Sequence, residues 1–204
     1  MTAGVSLVWV AGWGLGAQVF NRVISHLPEF VHDTVHLWNK DRAPLPPKNG
    51  LRIGIGHSIG GWWLAGQEAA LDGLIYLGGF QRFSGTVRTL APMQAAFQVE
   101  PDTVLRNFYK NSGAADVPFR ENEHEYSLLS SALQSLAIDT VHSPKNIPIK
   151  AVHGAGDNIV PLYHAQREFG AAVRPIPGAG HIPQWTHPEE VAVLVRETVR
   201  QWTP

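Results

Sequence analysis

A serine stands between two glycines in Gly56-His57-Ser58-Ile59-Gly60-Gly61. The apolar run 51–55 precedes it, and a stretch with helical apolar spacing, 59–71, follows. At such a junction of strand and helix the serine is held in a strained turn that pushes its hydroxyl outward, and small neighbours make room for that turn. The N–H groups opening the helix face any negative charge that develops beside it. That arrangement suits attack on an acyl carbon. The five-residue pattern alone is a modest signal, and its context between strand and helix gives it weight.

A hydroxyl of this kind needs an imidazole to accept its proton, and the imidazole needs a carboxylate to orient it. With the serine on a strand–helix turn, the expected chain order is serine, acid, histidine. Asp157 follows the apolar run 147–152, in Gly154-Ala155-Gly156-Asp157. His181 follows the run 172–176, in Gly178-Ala179-Gly180-His181. One helix and one strand separate them, so both loops leave the carboxyl ends of strands, where the groups of such sheets gather. The chain holds 10 histidines, so rivals need weighing. His26, His32 and His36 lie early in the chain, His124 sits among glutamates, and His187 with Pro188 and Glu189 reads as a helix start. His153 shares a loop with Asp157 and reads as a packed structural residue. Asp139 is a rival acid within a long insertion.

Acyl transfer also needs two N–H donors for the oxyanion. The residue after the serine, Ile59, supplies one. The loop after the first strand, Gly12-Trp13-Gly14, supplies the other through Trp13, whose ring also walls the pocket. The same loop has a competing reading. Gly12-x-Gly14-x-x-Ala17, with Asp33 about 20 residues on, matches a dinucleotide fingerprint, which would make the protein a reductase. That reading leaves Ser58, Asp157 and His181 without a task.

The elements that must position these residues are legible in outline. Apolar runs at 5–10, 34–38, 51–55, 74–77, 147–152 and 172–176 read as six buried strands. Helical spacing appears at 17–27, 59–71, 101–111, 123–137, 161–169 and 188–202. Residues 41–50 contain Pro44, Pro46 and Pro47 and read as an irregular connection. Strands alternating with helices predict an α/β fold, a mostly parallel sheet of about six strands covered on both faces. Residues 80–146 break the alternation and predict a helical insertion over one sheet edge, within a single domain spanning 1–204.

Composition narrows the function classes. With no cysteine, disulfides, thiolate metal sites and a cysteine nucleophile are excluded. The 16 basic and 17 acidic residues give a formal charge of −1, which fits neither a nucleic-acid nor an anionic-membrane partner. No apolar run reaches the roughly 18 residues of a membrane span. The start lacks a positive leader, so a cytoplasmic protein is expected. The chemistry above calls for no metal and no organic cofactor.

The pieces Trp9 through Leu15, Gly56 through Gly61, Gly154 through Asp157 with Val160-Pro161, and Gly178 through His181 with His187-Pro188-Glu189 resemble the α/β-hydrolase superfamily over nearly the whole chain. Within it, Gly12-Trp13-Gly14-Leu15 with Val19-Phe20, and Leu133-Gln134-Ser135-Leu136 with Asp139, are similar to the carboxylesterases that hydrolyse the methyl ester of a pimeloyl chain on acyl carrier protein. The resemblance implies a serine esterase of biotin synthesis, with a helical lid that holds an acidic carrier through basic residues. Arg106 and Lys110, at i, i+4 spacing, fall in the matching helix, and Phe80, Phe83, Met93 and Phe97 are the expected apolar lining of the acyl pocket that the insertion roofs. The chain departs from that family in having Ala11-Gly12 where His-Gly is usual, in opening on what resembles the family's third strand, and in the proline-rich 41–50 connection. Thioesterases and C–C bond hydrolases share the same residue set, and a non-catalytic interaction protein shares the same fold.

Overall fold

A computed structural model describes residues 4–39, 44–83, 87–113, 115–117, 125–137 and 141–203. Six strands form one sheet: β1 (Val5–Val10), β2 (Val31–Val35), β3 (Leu51–His57), β4 (Gly73–Leu77), β5 (Ile149–Gly154) and β6 (Val173–Ile176). Their order is β2-β1-β3-β4-β5-β6, and every neighbouring pair is parallel. The fold class is the expected one. Central strands read as unbroken apolar runs because helices cover both of their faces; β4 is buried at every position. The two edge strands have one open side and carry exposed residues.

Parallel register aligns the strand ends. Val10 stands opposite both Val35 and Gly56, His57 opposite Leu77, Leu77 opposite Val152, and Gly154 opposite Ile176. The loops that follow these strands therefore leave along one rim of the sheet. Helix α1 (Asn21–Ser25) packs against the last helix, α8 (Pro188–Trp202), with the short α7 (Pro183–Thr186) touching both. On β4, Tyr76 meets Gly61 of α2 (Ile59–Ala65) and Phe169 of α6 (Leu162–Phe169), while position 73 faces Trp202 of α8. Positions three apart on a strand point to opposite faces, so α2 and α6 cover one side and α8 the other.

Between β4 and β5 lie α3 (Val87–Val99), α4 (Pro101–Asn111) and α5 (Tyr126–Ala137), which pack on one another. They bury Leu90, Phe97, Leu105, Phe108, Tyr109, Leu129 and Leu133. Helix α3 has no counterpart in the elements read from sequence. Pro92 inside it breaks the pattern that marks a helix, and packing against α4 and α5 sustains it instead. Other boundaries move too. The second strand is 31–35 rather than 34–38. The helix expected over 17–27 divides into a 3₁₀ turn (Ala17–Phe20) and α1. The helix expected over 59–71 ends at Ala65, with a separate 3₁₀ turn at Glu68–Ala70.

The described part of the proline-rich connection, 44–50, is irregular as expected. The buried guanidinium of Arg52 pins it by donating to the Pro46 carbonyl at 2.5 Å, and Lys48 pairs with Asp72 at 2.8 Å.

Candidate active site

The turn after β3 is the strained one. Ser58 has φ 52° and ψ −125° and is the sole non-glycine residue with positive φ among those described. The flanking glycines are required by contact. A Cβ on Gly56 would stand 2.3 Å from the Gly61 Cα, and one on Gly60 2.3 Å from the Val10 carbonyl oxygen. The Ser58 N–H donates to the Leu77 carbonyl at 3.0 Å, which ties the turn to β4. Ile59, on the far side of Ser58, is the first residue of α2, so helix geometry gives its N–H no intrahelical acceptor.

Asp157 and His181 meet. Nδ1–H of His181 donates to Oδ2 of Asp157 at 2.8 Å, with both side chains fully buried. The other carboxylate oxygen, Oδ1, accepts the N–H groups of Ile159 at 2.8 Å and Val160 at 2.9 Å. Nε2 of His153 donates to the Val160 carbonyl at 2.7 Å and lies 3.2 Å from Asp157 Oδ2. Burial alone would push the Asp157 carboxyl up. The charge of His181 and the bonds from His153 and His181 outweigh burial and hold it well below the usual carboxylate range.

The imidazole of His181 presents Nε2 to the interior, with no hydrogen-bond partner among the described residues. Its ring lies 4.9 Å from that of His57, the residue just before Ser58. Nε2–H of His57 donates to the His181 carbonyl at 2.9 Å. Burial, then the charge of His181, depress the His57 pKa to about 3, so this ring is neutral. No hydrogen bond joins Ser58 Oγ to His181 Nε2. Bonds of that kind commonly tighten only when substrate arrives.

The loop after β1 backs onto the serine. A Cβ on Gly12 would lie 3.0 Å from the Ser58 Cβ and 2.5 Å from His57 Nδ1. Trp13 turns its ring away from the sheet and into the inserted helices. Its Nε1–H donates to the Leu129 carbonyl at 2.9 Å, and its ring meets Phe97 and Phe108 edge-on at 5.3 and 5.4 Å. Phe108 also meets the ring of His181 edge-on at 6.1 Å. From α4, the Tyr109 hydroxyl donates to the Gly14 carbonyl at 2.5 Å, and the Ser112 carbonyl accepts the N–H of His181 at 3.0 Å.

The remaining expectations sort by position. Phe80 is buried beside Phe83, with rings 4.9 Å apart, and Phe97 and Met93 belong to α3. Arg106 and Lys110 share an exposed face of α4. His153, expected as a packed structural residue, stands against Asp157. His32 accepts the Trp9 indole N–H at 3.0 Å, in the sheet and away from this rim. His187 is the N-terminal neighbour of α8, as read. His124 and Asp139 lie outside the described residues. Asp33 sits in the middle of β2, opposite Val8, not beyond a strand end where a ribose-binding acid would stand. The dinucleotide reading thus loses its acid. Sequence spacing does not single out His57, Tyr109, Ser112 or Leu129. Only His57, next to Ser58, carries a positional signal.

The alpha/beta hydrolase family profile matches residues 10–194. The chain belongs to the alpha/beta hydrolase family, and its class is that of a hydrolase. At the level of individual proteins, it is 25% identical over 256 aligned positions to the pimeloyl-[acyl-carrier protein] methyl ester esterase of Aromatoleum aromaticum, covering 95% of this chain and 98% of that one. It is 24% identical over 212 positions to the biotin biosynthesis bifunctional protein BioHC of Teredinibacter turnerae, covering 95% of this chain and 33% of that longer protein. A thermophilic esterase from Thermogutta terrifontis superposes with a TM-score of 0.72 at 17% identity, over 100% of this chain and 92% of that one, and shares the fold. Among the described residues, no helix is long and apolar enough to cross a membrane.

Proposed function

We propose that the protein is a serine carboxylesterase that cleaves the methyl ester of a pimeloyl chain carried on acyl carrier protein. The observation that carries the reaction type is the His181 imidazole. Asp157 holds its Nδ1–H, which leaves Nε2 without a partner on a ring 4.9 Å from that of His57, the residue before the strained Ser58. Support for the substrate comes from the full-length similarity to the Aromatoleum aromaticum esterase.

Ser58 Oγ attacks the ester carbon, and His181 Nε2 takes the hydroxyl proton. The N–H groups of Ile59 and Trp13 receive the oxyanion. Collapse expels methanol, which leaves with the proton from His181. A water molecule then attacks the acyl-enzyme, again deprotonated by His181, and the free acid departs. Asp157 keeps the imidazole in the right tautomer and stabilises its charged form. The helices inserted between β4 and β5 serve as the lid over the acyl chain, with Phe80, Phe83 and Trp13 as its apolar contacts. Arg106 and Lys110 face outward to meet the acidic carrier. This reading puts the protein in the cytoplasm.

The test is methanol release from the carrier-bound methyl ester, beside a p-nitrophenyl ester and an acyl thioester, for wild type and Ser58→Ala. Wild type is expected to prefer the methyl ester, and Ser58→Ala to lose at least about 10³-fold in kcat. A Ser58→Ala protein with the wild-type rate would overturn the nucleophile. Hydrolysis of the p-nitrophenyl ester or thioester without the carrier-bound methyl ester would overturn the substrate and leave the hydrolase standing.

A further inference from the structure

Trp38 lies in the turn just after β2, buried to 7% exposure, where neither sequence nor family match gives it a task. Its indole Nε1–H donates to the Gly12 carbonyl oxygen at 2.6 Å. The same oxygen accepts the N–H of Leu15 at 3.2 Å, which closes the turn Gly12 to Leu15. Trp38 is itself held, since its carbonyl accepts the N–H of Glu125 at 2.8 Å.

The Gly12 carbonyl and the Trp13 N–H belong to one planar trans peptide, so they point in opposite directions. A donor that fixes the carbonyl therefore fixes the N–H. That N–H donates to no acceptor among the described residues. The glycine carrying this peptide abuts Ser58. We infer that Trp38 is a positioning residue of the oxyanion hole: its indole N–H holds the Gly12–Trp13 peptide so that the Trp13 N–H points at the developing oxyanion. The inference rests on the serine-esterase reading above and deepens it.

Two physical effects act together. A second donor on the carbonyl resists flipping of the peptide, which Leu15 alone holds through a longer bond. It also polarises the amide, because hydrogen bonds in series strengthen one another at low dielectric. The stronger Trp13 donor matters most when full negative charge sits on the oxygen, so the benefit falls on the transition state rather than on substrate binding. Simple packing by the indole ring would show no such bias.

The experiment replaces Trp38 by Phe and, keeping ring size, by 3-benzothienylalanine, which puts sulfur where the N–H stands. Readouts are kcat and KM on p-nitrophenyl butyrate, inhibition by a trifluoromethyl ketone that forms an oxyanion on the serine, and thermal unfolding. Loss of a whole oxyanion donor costs about 10²- to 10³-fold, so loss of its support should cost about 10-fold in kcat. KM is expected within about two-fold of wild type, and ketone affinity should fall by the same factor as kcat/KM. A folded benzothienyl variant with wild-type kcat and ketone affinity would overturn the inference, even if Trp38→Phe failed to fold. Ser58→Ala runs alongside. If it keeps full activity, the esterase reading itself fails; if it is inactive while both Trp38 variants are unimpaired, only the role of Trp38 fails.

Discussion

The backbone N–H of His181, on the loop after β6, donates to the carbonyl of Ser112 at the end of α4, at 3.0 Å. On its other side the His181 carbonyl accepts Nε2–H of His57 at 2.9 Å. The histidine is thus clamped between the inserted helices and the strand that carries the serine. The same helices hold the loop after β1 through Tyr109 on Gly14 and Leu129 on Trp13. The insertion is bonded into the site on both of its loops.

Tyr109→Phe removes one of these bonds and leaves the ring in place. The buried Gly14 carbonyl then loses its donor, at a cost of about 1–2 kcal/mol. Chemical denaturation should show that loss with an unchanged slope, and kcat/KM should drop several-fold as the loop loosens. Wild-type stability together with wild-type kcat/KM would refute the coupling between α4 and the loop.

Asp157→Asn keeps the shape and removes the charge. The amide no longer enforces the Nδ1–H tautomer, so kcat should fall by about 10³- to 10⁴-fold with KM little changed. The carboxylate's lowered pKa also sets a stability window. Its contribution is fully present above the ordinary value of 3.8 and disappears only as pH falls through its lower folded value. Stability measured from pH 7 down to 4 should therefore show no loss from this group.

His57 acts in the same sense but in a higher pH window. Folded, its ring takes a proton only near pH 3, whereas the exposed side chain does so near 6.5. The unfolded chain therefore holds more protons between these values, and stability should fall as pH drops through that window, by up to about 1.4 kcal/mol per unit. His57→Gln keeps a donor for the His181 carbonyl and cannot titrate. Its stability curve should be flatter than wild type from pH 6.5 to 4; parallel curves would sink this assignment.

Arg106 and Lys110 present two positive charges on the outer face of α4. Reversing both to Glu should lower kcat/KM on the carrier-bound ester about 10-fold relative to a p-nitrophenyl ester, mostly through association. Raising the salt to 1 M, where the screening length is about 3 Å, should shrink the difference. An unchanged ratio at low salt would remove these two residues from carrier recognition.

The chain's own order of residues determined a good deal. Buried parallel strands must be apolar throughout, so the five strands other than β2 stood out as runs within about two residues of their observed ends. The glycines around Ser58 marked the strained turn because no other residue fits there. Asp157 and His181 followed from where loops leave parallel strands. Signals that depend on one-dimensional periodicity failed where exposure or proline disturbed them. Edge strand β2, Val31-His32-Asp33-Thr34-Val35, has three polar residues at its centre, so no apolar run marks it, and the run at 34–38 lies three residues late. Helix α3 contains Pro92 and owes its shape to its neighbours. The bonds that set the site, Trp38 to Gly12, Ser112 to His181, Tyr109 to Gly14 and His57 to the His181 carbonyl, were decided by tertiary structure alone. Each joins an ordinary backbone carbonyl to a donor remote in sequence, and a carbonyl looks the same at every residue until folding brings its partner within about 3 Å.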